Sequence, residues 1–99
     1  QLSDIIYIQT ENKLLILHTI HGDVQSSQRM SELEKRLSKK QFFRCHNSYM
    51  VNFDYVEGVK KDSVLIKDKA QKLKLIPVSK YKKEEFMRAL ARYVGKWEN

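Results

Sequence analysis

Cys45 and His46 are adjacent in the sequence, and a cysteine activated by a histidine could act as a nucleophile. The residues around them are predicted to form a strand, in which consecutive side chains point to opposite faces, so His46 could not readily activate its neighbour. The sequence carries no Gly-x-Ser-x-Gly, Walker or dinucleotide-binding motif. We therefore expect no enzymatic activity, no cofactor and no small-molecule substrate.

The histidines are the next candidates, as metal ligands. His18 and His21 are three residues apart, and Cys45 and His46 form a second pair elsewhere in the chain. A structural zinc site needs four ligands, usually as pairs of Cys or His at short spacing, and here two unrelated pairs would have to meet. The sequence favours no metal site, with His18 and His21 flanking a hairpin turn.

Three polar stretches between predicted strands carry side chains that could bind a nucleic acid. They are Asn12-Lys13, Arg44 with His46-Asn47-Ser48, and Ser79-Lys80 with Lys82-Lys83. In such turns, amides can reach base edges while lysine and arginine hold phosphates. Each stretch could also be an ordinary exposed turn, closed by its own side chains.

The charge distribution favours a polyanionic partner. The 99 residues include 19 Lys and Arg against 12 Asp and Glu, for a net charge of +7. Nearly all of this excess lies after residue 40. Clustered positive charge attracts phosphates, whose neutralisation releases counterions.

The elements that position these turns are mostly short strands. The connections are too short for parallel crossovers, so the pattern predicts a mainly β domain with antiparallel strands. The expected strands are Ile5–Ile8, Leu14–Ile20, Val24–Ser27, Phe42–Cys45, Tyr49–Asn52, Tyr55–Lys60, Val64–Lys67 and Lys72–Ile76.

Two helices complete the prediction. A short internal helix follows a cap at Ser26 or Ser27, with Met30, Leu33 and Leu37 at helical spacing. A final helix is expected from about Lys80 to Lys96, capped by Ser79. Its apolar stripe comprises Phe86, Leu90, Tyr93 and Trp97.

One cysteine and no apolar run near 20 residues favour a reducing cytoplasm and no membrane contact. The sequence opens at Gln1 without an initiator Met, immediately before a strand. We expect residues 1–99 to form one domain, a C-terminal fragment of a longer protein.

The segment Phe42-Phe43-Arg44-Cys45-His46-Asn47-Ser48-Tyr49-Met50-Val51-Asn52 carries the strongest motif in the chain. It resembles the signature of LytTR domains, and its Cys and Asn are especially similar to the accessory-gene-regulator branch of quorum-sensing regulators. Asp4–Ile8 resembles the family's opening strand, and Ile76–Tyr81 resembles its closing stretch. The resemblance spans residues 4–86, and leaves 87–99 as a C-terminal helical extension.

The resemblance implies an elongated stack of small antiparallel sheets that binds double-stranded DNA. It implies the output domain of a two-component response regulator that controls transcription by reading direct repeats in promoters, with a dimer on the DNA. The base-contacting residues would be Lys13, Asn47 and Lys80. The residues that hold the DNA backbone or support the loops would be Asn12, Arg44, His46, Ser48, Ser79 and Lys82.

Two alternatives remain open. A basic β-module could bind RNA or single-stranded nucleic acid, which requires exposed aromatic side chains on a sheet face, with Tyr49 and Tyr55 as the candidates. A protein-interaction domain could instead use the aromatic C-terminal helix through Tyr93 and Trp97.

Overall fold

The computed structural model describes residues 1–68 and 70–98, with side chains as far as residue 95, and within them the chain forms eight strands and two α-helices. The strands are β1 (Ile5–Glu11), β2 (Leu14–Thr19), β3 (Gly22–Ser26), β4 (Phe42–His46), β5 (Tyr49–Asn52), β6 (Val56–Lys60), β7 (Ser63–Lys67) and β8 (Leu73–Pro77). The helices are α1 (Met30–Arg36) and α2 (Lys83–Glu98). The expectation of a mainly β fold with one short internal helix and one C-terminal helix is confirmed.

The strands form two antiparallel sheets. The larger sheet has five strands in the order β3-β2-β1-β5-β4, and the smaller has three in the order β6-β7-β8. The first strand therefore lies at the centre of the larger sheet, paired with β2 on one side and β5 on the other. The smaller sheet is a simple meander.

The larger sheet is covered on both faces. On one face it packs against α1, in a core formed by Ile5, Ile8, Leu15, Met30, Leu33, Leu37, Phe42 and Met50. On the other face lies a second core, shared with the smaller sheet and α2, formed by Ile6, Tyr7, Cys45, Val51, Phe53, Val64, Ile66, Ile76, Val78, Phe86 and Ala89. Burial on both faces explains why β1 begins with four consecutive buried residues, since side chains of either orientation meet a core.

The first strand is longer than its apolar run predicts. It continues through Gln9, Thr10 and Glu11, and the polar break shrinks to the two-residue turn Asn12-Lys13. The reason is that backbone pairing with β2 and β5 does not depend on the polarity of the side chains. At the next turn, Gly22 has a φ of 124°, as expected of a glycine that closes a hairpin.

Both predicted helix caps are wrong. Arg29, not Ser26 or Ser27, precedes α1, and its backbone N–H donates to Glu32 Oε1 at 3.2 Å. The Ser26 hydroxyl instead accepts from the N–H of Gln28, which closes the turn before the helix. Ser79 makes no capping bond, because its hydroxyl points to strand β4.

The C-terminal helix also begins later than predicted. Lys80–Lys82 form a 3-10 turn, and α2 starts at Lys83. Phe86 is fully buried, and the ring of Tyr93 packs on Phe53 with 5.4 Å between centroids. Trp97, which was predicted to belong to the same apolar stripe, lies outside the residues whose side chains the structure describes. No helix in the described part of the chain has the length and apolar character needed to cross a bilayer.

Asn52 is the polar residue that ties the larger sheet to the rest of the chain. Its side chain is fully buried, and its Nδ2 donates to the carbonyl of Ile5 at 2.7 Å. Its Oδ1 accepts from the N–H of Asp54 at 2.9 Å, which turns the chain into the 3-10 segment Phe53–Tyr55. Asn52 thereby fixes the direction in which the chain leaves β5 for the smaller sheet.

Replacing Asn52 with Ala should lower the free energy of unfolding by about 2–3 kcal/mol, because the buried Ile5 carbonyl loses its donor. Urea denaturation followed by circular dichroism measures the change. The matched control is Asn47→Ala, whose exposed side chain should leave stability within about 0.5 kcal/mol. Equal losses in the two variants would show that Asn52 is not a structural anchor.

Candidate nucleic-acid interface

The three polar stretches lie side by side at one end of the larger sheet. The N–H of Thr10, beside the β1–β2 turn, donates to the carbonyl of Ser48 at 2.9 Å. The N–H of Ser79 donates to the carbonyl of Cys45 at 2.8 Å, so the chain after β8 runs alongside edge strand β4. We call the surface formed by Asn12-Lys13, Asn47-Ser48 and Ser79-Lys80 the polar end.

The β1–β2 turn is a tight two-residue turn with both residues in the left-handed region. Asn12 has a φ of 50° and Lys13 a φ of 67°, which is the geometry of a type I′ hairpin turn. Asparagine tolerates this conformation, but at the second position glycine is normally preferred. Lys13 therefore sits in a strained backbone conformation with its side chain exposed.

The β4–β5 turn is held from below by Arg44. Its Nη2 donates to the carbonyl of Asn47 at 2.9 Å, and its Nη1 pairs with Glu34 Oε1 of α1 at 3.3 Å. Only 22% of the Arg44 side chain is exposed, so its charge is turned inward and compensated by Glu34. The Asn47 side chain, by contrast, is presented to solvent.

His46 closes the same turn from inside. Its Nδ1 accepts a hydrogen bond from the N–H of Ser48 at 3.1 Å, and its ring lies edge-on to Tyr49 at 5.7 Å. His46 does not contact the thiol of Cys45, which instead donates weakly to the carbonyl of Pro77 at 3.5 Å. Burial raises the pKa of the Cys45 thiol to about 12, which opposes formation of a nucleophilic thiolate.

The stretch after β8 is anchored to β4 by two side chains. The Ser79 hydroxyl donates to the Cys45 carbonyl at 3.4 Å, and Lys82 Nζ donates to the Arg44 carbonyl at 3.1 Å. Both residues are half-buried, whereas Lys80 between them is exposed. The predicted site residues thus divide by position: Lys13, Asn47, Lys80 and Asn12 project outward, and Arg44, His46, Ser48, Ser79 and Lys82 lie partly inside.

The opposite end of the molecule is acidic. His21 Nε2 pairs with Asp4 at 3.3 Å, and His18 Nδ1 pairs with Asp23 at 2.9 Å, both near the β2–β3 turn. The same region has a depression lined in part by Asp54, Glu57 and Asp68. These carboxylates lie at the end opposite the lysine-bearing turns, although the exposed Glu11 directly precedes the β1–β2 turn.

His18 and His21 are therefore committed to structural contacts. His18 also stacks on Tyr7, with 4.2 Å between ring centroids, and its Nε2 lies 2.7 Å from Gln9 Oε1. Within residues 1–68 and 70–98, no group of three or more His, Cys, Asp or Glu is arranged to hold a metal ion.

The sequence analysis missed one segment of this surface, the β3–α1 loop of Ser27, Gln28 and Arg29. Ser26 pairs with Leu15 across the sheet, so the chain leaves β3 beside the β1–β2 turn. The loop, that turn and the β4–β5 turn line a shallow cavity of about 560 Å³. The hairpin predicted at Gly22 already implied this return, because an antiparallel partner brings the chain back to the same end.

Comparisons with known proteins relate the chain to one family. Residues 1–91 match the profile of the family described as the LytTr DNA-binding domain. The chain is 31% identical over 58 residues to the transcriptional regulatory protein LytR of Staphylococcus aureus strain N315, covering 59% of this chain and 24% of that protein. It is 33% identical over 57 residues to the CO-responsive transcriptional regulator RcoM of Rhodospirillum rubrum, covering 58% of this chain and 24% of that protein.

The aligned part therefore spans about a quarter of the length of these curated relatives. Among solved structures, the chain resembles a LytTr DNA-binding domain from Bacillus cereus, with a TM-score of 0.74 and 22% sequence identity. That match covers 89% of this chain and 82% of the other, and it supports the fold.

Replacing Lys13 with Gly should raise the free energy of unfolding by about 0.5–1 kcal/mol, because relief of left-handed strain exceeds the entropic cost of glycine. Urea denaturation measures the gain. Asn12→Gly is the matched control and should gain less, since asparagine already tolerates a positive φ. A destabilised Lys13→Gly variant would contradict the assignment of strain to this turn.

Proposed function

Because the chain belongs to the LytTR family of DNA-binding domains, we propose that it binds specific double-stranded sites through its polar end and thereby regulates transcription. It acts as the output domain of a two-component response regulator. The observation that carries the proposal is the alignment of three exposed polar turns along one end of the larger sheet.

The spacing of the turns fits a duplex groove. Neighbouring strands are about 4.8 Å apart, so the β1–β2 and β4–β5 turns, two strand spacings apart, are separated by about 10 Å. The stretch at Ser79 lies about 7 Å beyond the β4–β5 turn by the same measure. The major groove is about 12 Å wide, so the central turn enters it while the outer turns reach toward its walls.

The exposed residues are assigned to base contacts. Asn47 projects from the central turn, and its amide can both donate to and accept from an adenine edge. Lys13 and Lys80 on the flanking turns reach guanine acceptors as point charges. Asn12 and Ser48 lie beside them and contact the sugar-phosphate backbone.

The inward residues act by positioning. Arg44 and His46 fix the backbone of the Asn47-Ser48 turn, and Ser79 and Lys82 fix the stretch that carries Lys80. A turn that is already ordered loses little entropy on binding, so more of the contact energy appears as affinity.

One copy of this domain covers only part of a promoter site. The row of three turns spans about 17 Å by strand spacing, which is about half of one 34 Å helical turn of DNA. We propose that two copies bind direct repeats as a dimer on the DNA.

A receiver domain in the longer protein, of the kind used in quorum sensing, would supply the signal. A chromosomal target places the protein in the cytoplasm.

Binding of RNA or single-stranded DNA has less support. That function needs exposed aromatic rings on a sheet face. Tyr49 and Tyr55 are half-buried, and Tyr55 donates to the Ser3 carbonyl. Among the described side chains, Tyr81 is the exposed aromatic, and it lies on the 3-10 turn.

A protein-interaction role for the C-terminal helix has less support as well. The ring of Tyr93 packs on Phe53 and its hydroxyl donates to Asp54, so that side chain serves the fold. Deletion of residues 87–99 would remove these contacts, so the helix is better treated as part of the domain.

Replacing Asn47 with Ala should reduce discrimination between a selected duplex and its scrambled version, because the amide contact to one base is lost. The expected loss is about 1–3 kcal/mol for the selected duplex alone. The site is first selected from a random duplex pool, and fluorescence anisotropy then gives both dissociation constants. Unchanged discrimination in a folded Asn47→Ala protein would mean that Asn47 reads no base.

A further inference from the structure

The shallow cavity beside the polar end is a second feature of this surface, with a chemistry of its own. Its polar lining includes Lys13, Ser27, Arg29, Arg44, Asn47 and Ser48. We name this cavity the notch. No carboxylate is among the described residues that line it.

The notch carries positive charge from Lys13, Arg29 and Arg44. Glu34 neutralises Arg44, but no ion pair in the described part of the chain includes Lys13 or Arg29. The carboxylate nearest to Arg29 in the sequence, Glu32, is bonded to the backbone N–H of Arg29 at 3.2 Å. Arg29 and the hydroxyl of Ser27, in a lining without carboxylates, form a site for an oxyanion.

The residues that line the notch favour a phosphate over a base as the ligand of Arg29. Ser27 and Arg29 line it from the β3–α1 loop, and Asn47 and Ser48 line it from the β4–β5 turn, so Arg29 borders the proposed reading turn. When Asn47 enters the groove, the part of the duplex that borders the groove is the sugar-phosphate backbone. An arginine in a lining without carboxylates is suited to bind such a phosphate.

We propose that Arg29 is a further DNA-contacting residue, which binds one backbone phosphate in the notch together with the Ser27 hydroxyl. This inference rests on the proposed duplex binding and adds to it a clamp outside the reading turns. The planar guanidinium of Arg29 matches two phosphate oxygens, which lysine cannot do. The clamp fixes the register of the polar end and carries no sequence preference itself.

The test compares Arg29→Ala, Arg29→Lys and the control Arg36→Ala, in which the lost arginine is exposed on the same helix region but does not line the notch. Affinity for the selected and scrambled duplexes is measured by anisotropy across a range of salt concentrations. Arg29→Ala should weaken both duplexes by about five- to tenfold and shallow the salt slope by about 0.9, the value for one phosphate contact. Arg29→Lys should keep the slope and recover part of the affinity, and Arg36→Ala should resemble the wild-type protein.

Two outcomes would overturn the proposal. Equal behaviour of Arg29→Ala and Arg36→Ala would show that the notch holds no phosphate, and a loss confined to the selected duplex would make Arg29 a base reader. Melting temperatures establish that each variant is folded; truncation at Arg29 leaves the backbone N–H bond to Glu32 in place. Asn47→Ala, measured in parallel, separates this failure from that of the proposed function, because it tests discrimination between duplexes, whereas Arg29→Ala tests the affinity common to both and its salt dependence.

Discussion

The structure depends on the stretch Arg44–Ser48 being held on both sides by backbone hydrogen bonds. Thr10 donates to Ser48 from the central strand, and Ser79 donates to Cys45 from the chain that leaves the smaller sheet. The N–H of Val78, next to Ser79, donates to the carbonyl of Asp62 in the β6–β7 turn, so the stretch Val78-Ser79 is bonded to both sheets. These bonds lie at the same end of the molecule. The same contacts therefore hold the two sheets together and position the polar turns.

In the β4–β5 turn, protein side chains supply hydrogen bonds to backbone groups that water would supply in an ordinary exposed loop. Arg44 donates to the carbonyl of Asn47, and His46 accepts from the N–H of Ser48, so these two backbone groups of the turn are bonded within the protein. The side chains of Arg44 and His46 face the interior of the turn. The side chain of Asn47 projects from it into solvent. Within this motif, Arg44 and His46 build the turn, and Asn47 is presented to solvent.

The sequence predicted the fold class, the strands and the three polar turns, because alternation of apolar residues and the Phe42–Asn52 motif are local signals. It did not predict the caps of the helices, since Ser26 and Ser79 found closer partners in Gln28 and the β4 backbone. Nor could local pattern distinguish Arg44 from Lys80, because which cation turns inward depends on Glu34 of a distant helix. Arg29 was missed for a related reason, since its place beside Lys13 follows from strand order.

The central claim is that polar turns at one end of a sheet, and not an inserted helix, contact the duplex. The most direct measurement is an NMR titration of the ¹⁵N-labelled domain with its selected duplex, in which the chemical shifts of the backbone amides are monitored. We expect the largest shifts at Asn12-Lys13, Asn47-Ser48 and Ser79-Lys80. Shifts confined to α2 or to the acidic β2–β3 end, with the Asn47 and Ser48 amides unchanged, would contradict it.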